Sequence, residues 1–314
     1  MLIGACDPVL CPIHVFRSSE IDVVIAGLRA LALLASDAGF RREVAAEATV
    51  PGCLIALAVH ASPDVKLAAW RAIRVVGREI DLATALCDLG CLDVLSPATN
   101  EFAMAAFNQL LNSQLSAKYS YTGRLDLSDV ISGTFFDAGA LRPGSRFKGL
   151  GALREAPVTA HREVVLVSLP VPPPEGEPAE EVEEGADCSA PAEPVDADLE
   201  AFIASCKAAI PEGAGYSEIA ASIATAVSSR MGGAVSLNQA FKFAFDLPLA
   251  EAKLASKTNV IALGKITKGT YYHRALLFKV VADQLGLLSS LIRSEYGRAY
   301  NVIHTPTPEF SVVR

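Results

Sequence analysis

The pattern of apolar and polar positions predicts helices and a β-hairpin in the last third of the chain. Leu199–Ile210 and Tyr216–Met231 carry apolar side chains at the spacing of an amphipathic helix. Tyr271–Gly286 is apolar over most of the surface that a helix would present, which predicts a buried helix. Ser290–Arg293 and Arg298–Ile303 alternate with a period of two on either side of a glycine-containing turn, which predicts a β-hairpin.

The first part of the chain contains an internal repeat. The sequence AGLRAL at Ala26–Leu31 recurs as AAWRAI at Ala68–Ile73, 42 residues later, and more weakly as AAFNQL at Ala105–Leu110. A period of about 40 with glycine breaks between helices is typical of armadillo or HEAT units, which stack because one unit cannot bury its own apolar face. We expect the third helix of each unit, near Leu54–His60 and Leu92–Thr99, to line a concave binding face.

An acidic segment separates the repeats from the C-terminal part. Residues 151–206 carry 13 acidic and 2 basic side chains, whereas residues 207–314 carry 7 acidic and 12 basic ones. The segment is rich in Pro, Glu and Ala, so we expect it to be extended and disordered apart from one short strand at Val164–Leu169. The net charge of −8 therefore reflects a linker, and we expect no nucleic-acid partner.

These patterns together predict a mainly α fold class. We expect a short armadillo-type α-solenoid with a C-terminal extension at residues 20–150. An acidic linker at 154–197 and a small α+β domain at 198–314 should follow it.

Composition excludes several classes of protein and site. No apolar run approaches the roughly 20 residues of a membrane helix, so we expect no membrane partner. The seven cysteines are odd in number and lie mostly in apolar contexts, which is typical of a reducing, cytoplasmic compartment. Cys6, Cys11 and His14 come nearest to a metal site, but their spacing is loose and a second ligand pair is missing. We therefore expect neither metal nor cofactor, and the oligomeric state stays open.

The start of the predicted buried helix is where chemistry would be expected. A helix that packs on a hairpin can present a cysteine at its N-terminus, where the helix dipole stabilises the thiolate. A histidine on the next strand then acts as base, and an acidic group orients it. In this chain the helix start offers Tyr271, Tyr272 and His273, with neither Cys nor Ser.

Two segments carry a family resemblance. The sequences GTYYHRALLFKVVADQLGL at 269–287 and SLIRSEYGRAYNVI at 290–303 resemble a peptidase-like domain found in two kinds of protein. One kind is the plant Raf-like kinases of the enhanced-disease-resistance and constitutive-triple-response type, and the other also carries armadillo repeats. The resemblance implies a transglutaminase-like fold with a Cys–His–Asp arrangement in active relatives.

The same resemblance implies that the catalytic groups have been lost. With His273-Arg274 as the anchor, the cysteine position falls on Tyr271. With Ala299-Tyr300-Asn301 as the anchor, the histidine position falls on Arg298. We therefore expect no catalytic residues, with His273 as the one residual candidate base. The alternative for His273 is a histidine at a helix N-terminus that bonds a backbone carbonyl.

The leading hypothesis is a non-enzymatic protein–protein interaction scaffold, and the resemblance implies action in cilia or flagella. Its partners should be proteins or extended peptides, which suit solenoid grooves. The alternative is a cysteine hydrolase or transglutaminase-like enzyme with a non-standard nucleophile such as Cys206, so enzymatic activity stays uncertain. The expected protein-binding surface comprises Leu54, His60, Trp70, Arg71 and Arg74.

Overall fold

The computed structural model describes residues 15–96, 99–142, 144–159, 163–170, 193–235, 245–294, 298–304 and 310–313. These residues form two compact units. The first unit contains the described residues up to Ala117 together with Leu141–Gly149, and the second contains Lys118–Ala140 and the described residues from Leu150 onward.

Seven helices of the first unit follow the predicted repeat. Long helices alternate with pairs of shorter ones, and α4 lies between α1 and α7 and contacts both. The described helices are α1 (Ile21–Leu34), α2 (Ala38–Ala46), α3 (Val50–Ala58), α4 (Pro63–Val76), α5 (Ile80–Asp88), α6 (Cys91–Leu95) and α7 (Glu101–Ser113).

Local sequence explains where these helices begin and end. The side chain of Asp37 accepts a hydrogen bond from the Phe40 amide and caps α2, and Asn100 caps α7 in the same way. Gly90 has a φ of 85° between α5 and α6, a backbone conformation that favours glycine. The predicted helical repeat and mainly α fold class are thus confirmed.

The short third helix of each unit lies where we expected it. Leu54–His60 begins inside α3, and Leu92–Thr99 begins inside α6, both short helices that precede a long one. The long helix α4 contacts its equivalents α1 and α7, and the short helices α3 and α6 also contact each other. That these third helices line a concave binding face stays a prediction.

The described residues of the second unit form two small sheets and six helices. One sheet has the order β1-β5-β6-β7 and is antiparallel, and the other has the order β2-β3-β4, with β3 and β4 parallel. The elements are α8 (Leu115–Thr122), β1 (Arg124–Leu125), β2 (Thr134–Asp137), α9 (Leu150–Glu155), β3 (Val164–Ser168), α10 (Ala197–Ala209), α11 (Tyr216–Arg230), α12 (Asp246–Ser256), β4 (Val260–Ala262), a 3-10 turn (Leu263–Lys265), α13 (Tyr271–Gln284), β5 (Ser289–Arg293), β6 (Ala299–His304) and β7 (Phe310–Val313).

The predicted buried helix and hairpin are both confirmed. Helix α13 is buried along most of its length and packs on β5 and β6, which pair in antiparallel register with Leu291 opposite Asn301. The hairpin turn at 295–297 lies outside the described residues. The predicted strand at Val164–Leu169 is confirmed as β3, and all five of its residues are buried.

Strands β1 to β3 lie earlier in the chain than the expected C-terminal domain. Leu125 of β1 pairs with Leu291 of β5, and β2 and β3 pair with each other. β3 then pairs with β4, with Val165 opposite Ile261. The centre of the expected linker, 171–192, lies outside the described residues.

Two further structural observations concern membranes and metals. Across the described ranges, no helix combines the length and apolar character that a membrane crossing requires. The same ranges contain no cluster of three or more His, Cys, Asp or Glu side chains suited to a metal ion. Cys6, Cys11 and His14 lie outside them.

Candidate functional site

The start of α13 is held by a reciprocal cap between Thr270 and His273. Thr270 is the N-cap residue, and its side chain accepts a hydrogen bond from the His273 amide. In return, the Thr270 amide donates to Nδ1 of His273 over 3.1 Å. This capping box satisfies two amide groups that would otherwise lack a partner at the helix start.

The cap fixes the chemistry of the His273 ring. Because Nδ1 accepts a hydrogen bond, the ring proton of the neutral imidazole resides on Nε2, which lies 3.8 Å from Oε1 of Glu163. Burial lowers the pKa of His273 to about 4, although the Asp137 carboxylate acts in the opposite direction. Burial also raises the pKa of Glu163. His273 is therefore neutral at pH 7, and its one lone pair is engaged by the backbone.

This arrangement differs from the hydrogen bond that we expected. His273 accepts from a backbone N–H instead of donating to a carbonyl. To act as a general base it would need a free lone pair facing a substrate. Either the cap must open or the tautomer must change before His273 can take up a proton.

A buried cluster of charged and aromatic side chains lies beside the helix start. Nη2 of Arg293, on β5, lies 2.5 Å from Oδ1 of Asp137, the last residue of β2. The Arg293 guanidinium carbon lies 4.3 Å from the centre of the Tyr119 ring and 5.8 Å from that of Tyr272. Burial raises the pKa of Tyr119 well above its usual range.

Sequence reasoning missed this cluster. Asp137 accepts a hydrogen bond from the nearby Gly139 amide, and it also pairs with Arg293, 156 residues away. No local pattern marks such a pair, since it depends on how two sheets pack. Nη1 of Arg293 is buried with no hydrogen-bond partner among the described residues.

The family pattern assigns the nucleophile position to Tyr271 and the base position to Arg298, at the start of the helix and next to the strand. Tyr271 is half-buried at the first position of α13, and Arg298 is exposed directly before β6. The Arg298 carbonyl accepts a hydrogen bond of 2.7 Å from the Ser294 amide, which closes the hairpin. A phenol and a guanidinium thus stand at these positions.

Asn301 fixes β6 to the helix. Its Nδ2 donates to the carbonyl oxygens of Ala275 and Ser290, each over 3.1 Å, and the side chain is 1% exposed. The contact with Ala275 lies one helical turn after Tyr271. Asn301 therefore sets the position of the hairpin relative to the helix start, which is the frame that a catalytic centre would need.

A second buried network lies further along α13. Nζ of Lys279 donates to the carbonyl oxygens of Asp129 and Ser289 and to Oδ1 of Asp283, which uses all three of its protons. The other carboxylate oxygen of Asp283 accepts from the Ile131 amide over 2.8 Å. This network fastens the segment after β1 to α13, and it stabilises the fold.

The residues expected to form a binding surface on the first unit fall into two groups. Leu54 is 0% exposed, so it cannot contact a partner unless the unit rearranges. His60 is half-buried, and its Nδ1 accepts a 3.0 Å hydrogen bond from the Ser62 amide at the start of α4. Leu54 therefore contributes to the core of the unit, and His60 caps the start of α4.

The other three residues lie on α4. Trp70 is half-buried, and its Nε1 is buried without a hydrogen-bond partner in the described part of the chain. Arg71 and Arg74 are exposed, and the Arg71 guanidinium carbon lies 4.3 Å from the centre of the Phe102 ring on α7. This side of α4 is therefore accessible to a partner.

The alternative nucleophile is poorly placed for catalysis. Cys206 is 3% exposed within α10, and burial raises the pKa of its thiol. Burial likewise raises the pKa of Cys91 to about 12. Because the thiolate is the nucleophile, a raised pKa disfavours reaction at these two cysteines.

Comparisons with known proteins agree with the resemblance that the motifs indicated. Residues 193–306 match the family described as EDR1/CTR1/ARMC3, peptidase-like. The chain is also similar to human armadillo repeat-containing protein 3, with 26% identity over 299 residues, covering 68% of this chain and 34% of the relative. It thus spans about a third of the length of that curated relative. No solved structure matches the chain.

Proposed function

We propose that this chain, which is similar to armadillo repeat-containing protein 3, acts as a non-enzymatic protein–protein interaction scaffold. The observation that carries the proposal is the start of α13. A tyrosine stands where the family pattern has a nucleophile, an arginine stands where it has a base, and the lone pair of His273 is engaged by the Thr270 amide.

The geometry of the second unit supports a domain that keeps the packing of the helix on the hairpin but lacks the catalytic groups. Asn301 fixes the hairpin to α13 through two donated hydrogen bonds, and Lys279 fixes the loop after β1 through three. Buried polar groups of this kind rigidify a structure when all their partners are present. A rigid frame without nucleophile or base is suited to binding.

The exposed side of α4 supports a second binding surface, on the first unit. Solenoids bind proteins and extended peptides across the helices of successive units. Trp70 and Arg71 are residue types that are enriched at interaction hot spots. We further propose that the protein acts in the cytoplasm of cilia or flagella, a proposal that rests on the family resemblance alone.

Affinity capture with the full chain tests the scaffold proposal. The chain and its Trp70→Ala and Arg71→Ala variants would be used to retain proteins from an extract of ciliated cells, with Arg17→Ala, which alters another exposed arginine, as the matched control. We expect the same partner with the wild type and the control, and its loss with the two α4 variants. Failure of the wild-type chain to retain any protein would contradict the proposal.

Localisation needs a separate measurement. A fluorescently tagged chain should concentrate along the axoneme of ciliated cells. A uniform cytoplasmic signal, equal to that of the tag alone, would contradict the ciliary part of the proposal and leave the scaffold part unaffected.

The match to a peptidase-like family supports one rival, a cysteine-dependent enzyme. A thiol-reactive activity probe distinguishes the two. The scaffold proposal predicts that labelling of the native chain does not depend on Cys206, whose thiol is buried. Rapid labelling that disappears in Cys206→Ala, together with hydrolysis of a peptide substrate, would establish the enzyme instead.

A further inference from the structure

Three arginines form a line on the accessible side of α4. Arg71 and Arg74 are exposed on the helix, and Arg78 is exposed in the turn that follows. Spacings of three and four residues place side chains on the same side of a helix. Arg29 on α1 is also exposed and occupies the position equivalent to Arg71 in the sequence repeat. These four residues are called the arginine stripe below.

The arginine stripe lacks carboxylate partners. None of its four members forms an ion pair with another described residue, and the Arg71 guanidinium rests on the Phe102 ring instead. Like charges three or four residues apart destabilise a helix. The helix dipole compensates this repulsion for Arg74, which lies in the last turn. The stripe therefore presents exposed guanidinium groups without an ion-pair partner among the described residues, and these groups are available to an anionic partner.

We propose that the arginine stripe binds an acidic, extended peptide segment of a partner protein. Guanidinium groups form paired hydrogen bonds with carboxylates, which fixes both partners in orientation. α4 lies between α1 and α7, and packed helices are about 8–10 Å apart. An extended peptide covers that distance with about three residues, so carboxylates along one peptide can reach both Arg29 and Arg71.

The same face disfavours nucleic acid as the partner. Asp22 and Asp64 lie in the first turns of α1 and α4, two helical turns before Arg29 and Arg71 and on the same side. A continuous phosphate backbone would meet these carboxylates, whereas a peptide can place a neutral or basic residue opposite them. This inference rests on the proposed function and adds to it the class of partner and the role of Arg29, Arg74 and Arg78.

Fluorescence anisotropy with the full chain tests the inference. The probe is a labelled peptide of alternating Glu and Pro, which stays extended, and the matched probe replaces every Glu with Gln. We expect the Glu peptide to bind at low salt and to weaken as salt rises. Arg71→Gln and Arg74→Gln should each weaken binding by about tenfold, the loss expected for one charge-assisted hydrogen bond. Arg17→Gln, an exposed arginine outside the stripe, should change little.

Each contrary result identifies what has failed. Equal binding of the Gln peptide, or an equal loss with Arg17→Gln, would overturn the arginine stripe as an acidic-peptide site. Tighter binding of a single-stranded oligonucleotide with the same dependence on Arg71 would overturn the choice of partner class. If the Glu peptide does not bind but the chain still captures a protein through Trp70, only this inference fails and the scaffold proposal stands.

Discussion

Replacing Lys279 with Met should strongly destabilise the second unit. Lys279 is 0% exposed, and its ammonium group donates to Asp283 and to two backbone carbonyls. Methionine matches its length but donates no hydrogen bond, so Asp283, at 2% exposure, is left without its cation. Breaking a buried ion pair in this way costs about 3–5 kcal/mol.

The loss should depend on pH, because Asp283 titrates. Burial raises the pKa of Asp283 to about 6 from 3.8, and Lys279 opposes that rise. A folded-state pKa above the unfolded value means that the folded protein binds the proton more tightly, so stability falls as pH increases from 3.8 through about 6. Removal of Lys279 raises the pKa of Asp283 further. The variant should therefore lose more free energy of unfolding at about pH 7.5 than at about pH 5.

Urea unfolding of the full chain at both pH values, followed by circular dichroism, measures this difference. A matched double variant, Lys279→Met with Asp283→Asn, removes both charges and keeps an oxygen that can accept from the Ile131 amide. Its stability should not change between the two pH values through this site. A single variant that loses the same free energy at both pH values would refute the reasoning, because the buried carboxylate would then not be responsible.

Three further changes test other contacts of the second unit. Asn301→Ala removes two side-chain hydrogen bonds that hold β6 on α13 and should cost about 1–3 kcal/mol by chemical denaturation; a loss near zero would mean that these carbonyls find other partners. The imidazole of His273 should stay neutral down to about pH 5 in an NMR titration, since burial lowers its pKa to about 4; protonation near pH 6.5 would contradict the buried cap. Asp196→Ala removes both the cap of α10 and the acceptor for the Gly264 amide, and should lower stability by about 1–2 kcal/mol by chemical denaturation. Asp196→Asn keeps only one of the two acceptor oxygens and should restore only part of this loss; full restoration would mean that one of the two hydrogen bonds contributes nothing.

Sequence reasoning succeeded where the signal is local and periodic. The buried helix at Tyr271–Gly286, the hairpin that follows and the strand at Val164–Leu169 each depend on the spacing of apolar residues within one element. The repeat was visible because its units share a motif at equivalent positions of the long helices. All these features are confirmed by the structure.

Sequence reasoning failed where a contact depends on pairing between segments that are distant in the chain. Nothing near Leu125 indicates that it pairs with Leu291, and nothing near Asp137 indicates Arg293 as its partner. Leu54 was expected on the binding face because it lies in the third helix of its unit, but packing within the first unit buries it completely. The family motif located the candidate site in the sequence. The buried pair of Arg293 and Asp137 beside it depends on how the two sheets pack, so the sequence did not indicate it.

The order in which the strands leave the ribosome has a consequence for synthesis. β1 cannot pair until β5 has been synthesised. The contact between Lys279 and Asp129, in the loop after β1, likewise joins residues 150 positions apart. At 5–20 residues per second, that separation corresponds to a delay of roughly 8–30 s. During this interval the early strands of the second unit lack their final neighbours while the first unit can already be folded. A nascent chain of this design should depend on holding chaperones, and a fragment that begins at residue 193, where the family match starts, would lack the partner strands β1, β2 and β3 altogether.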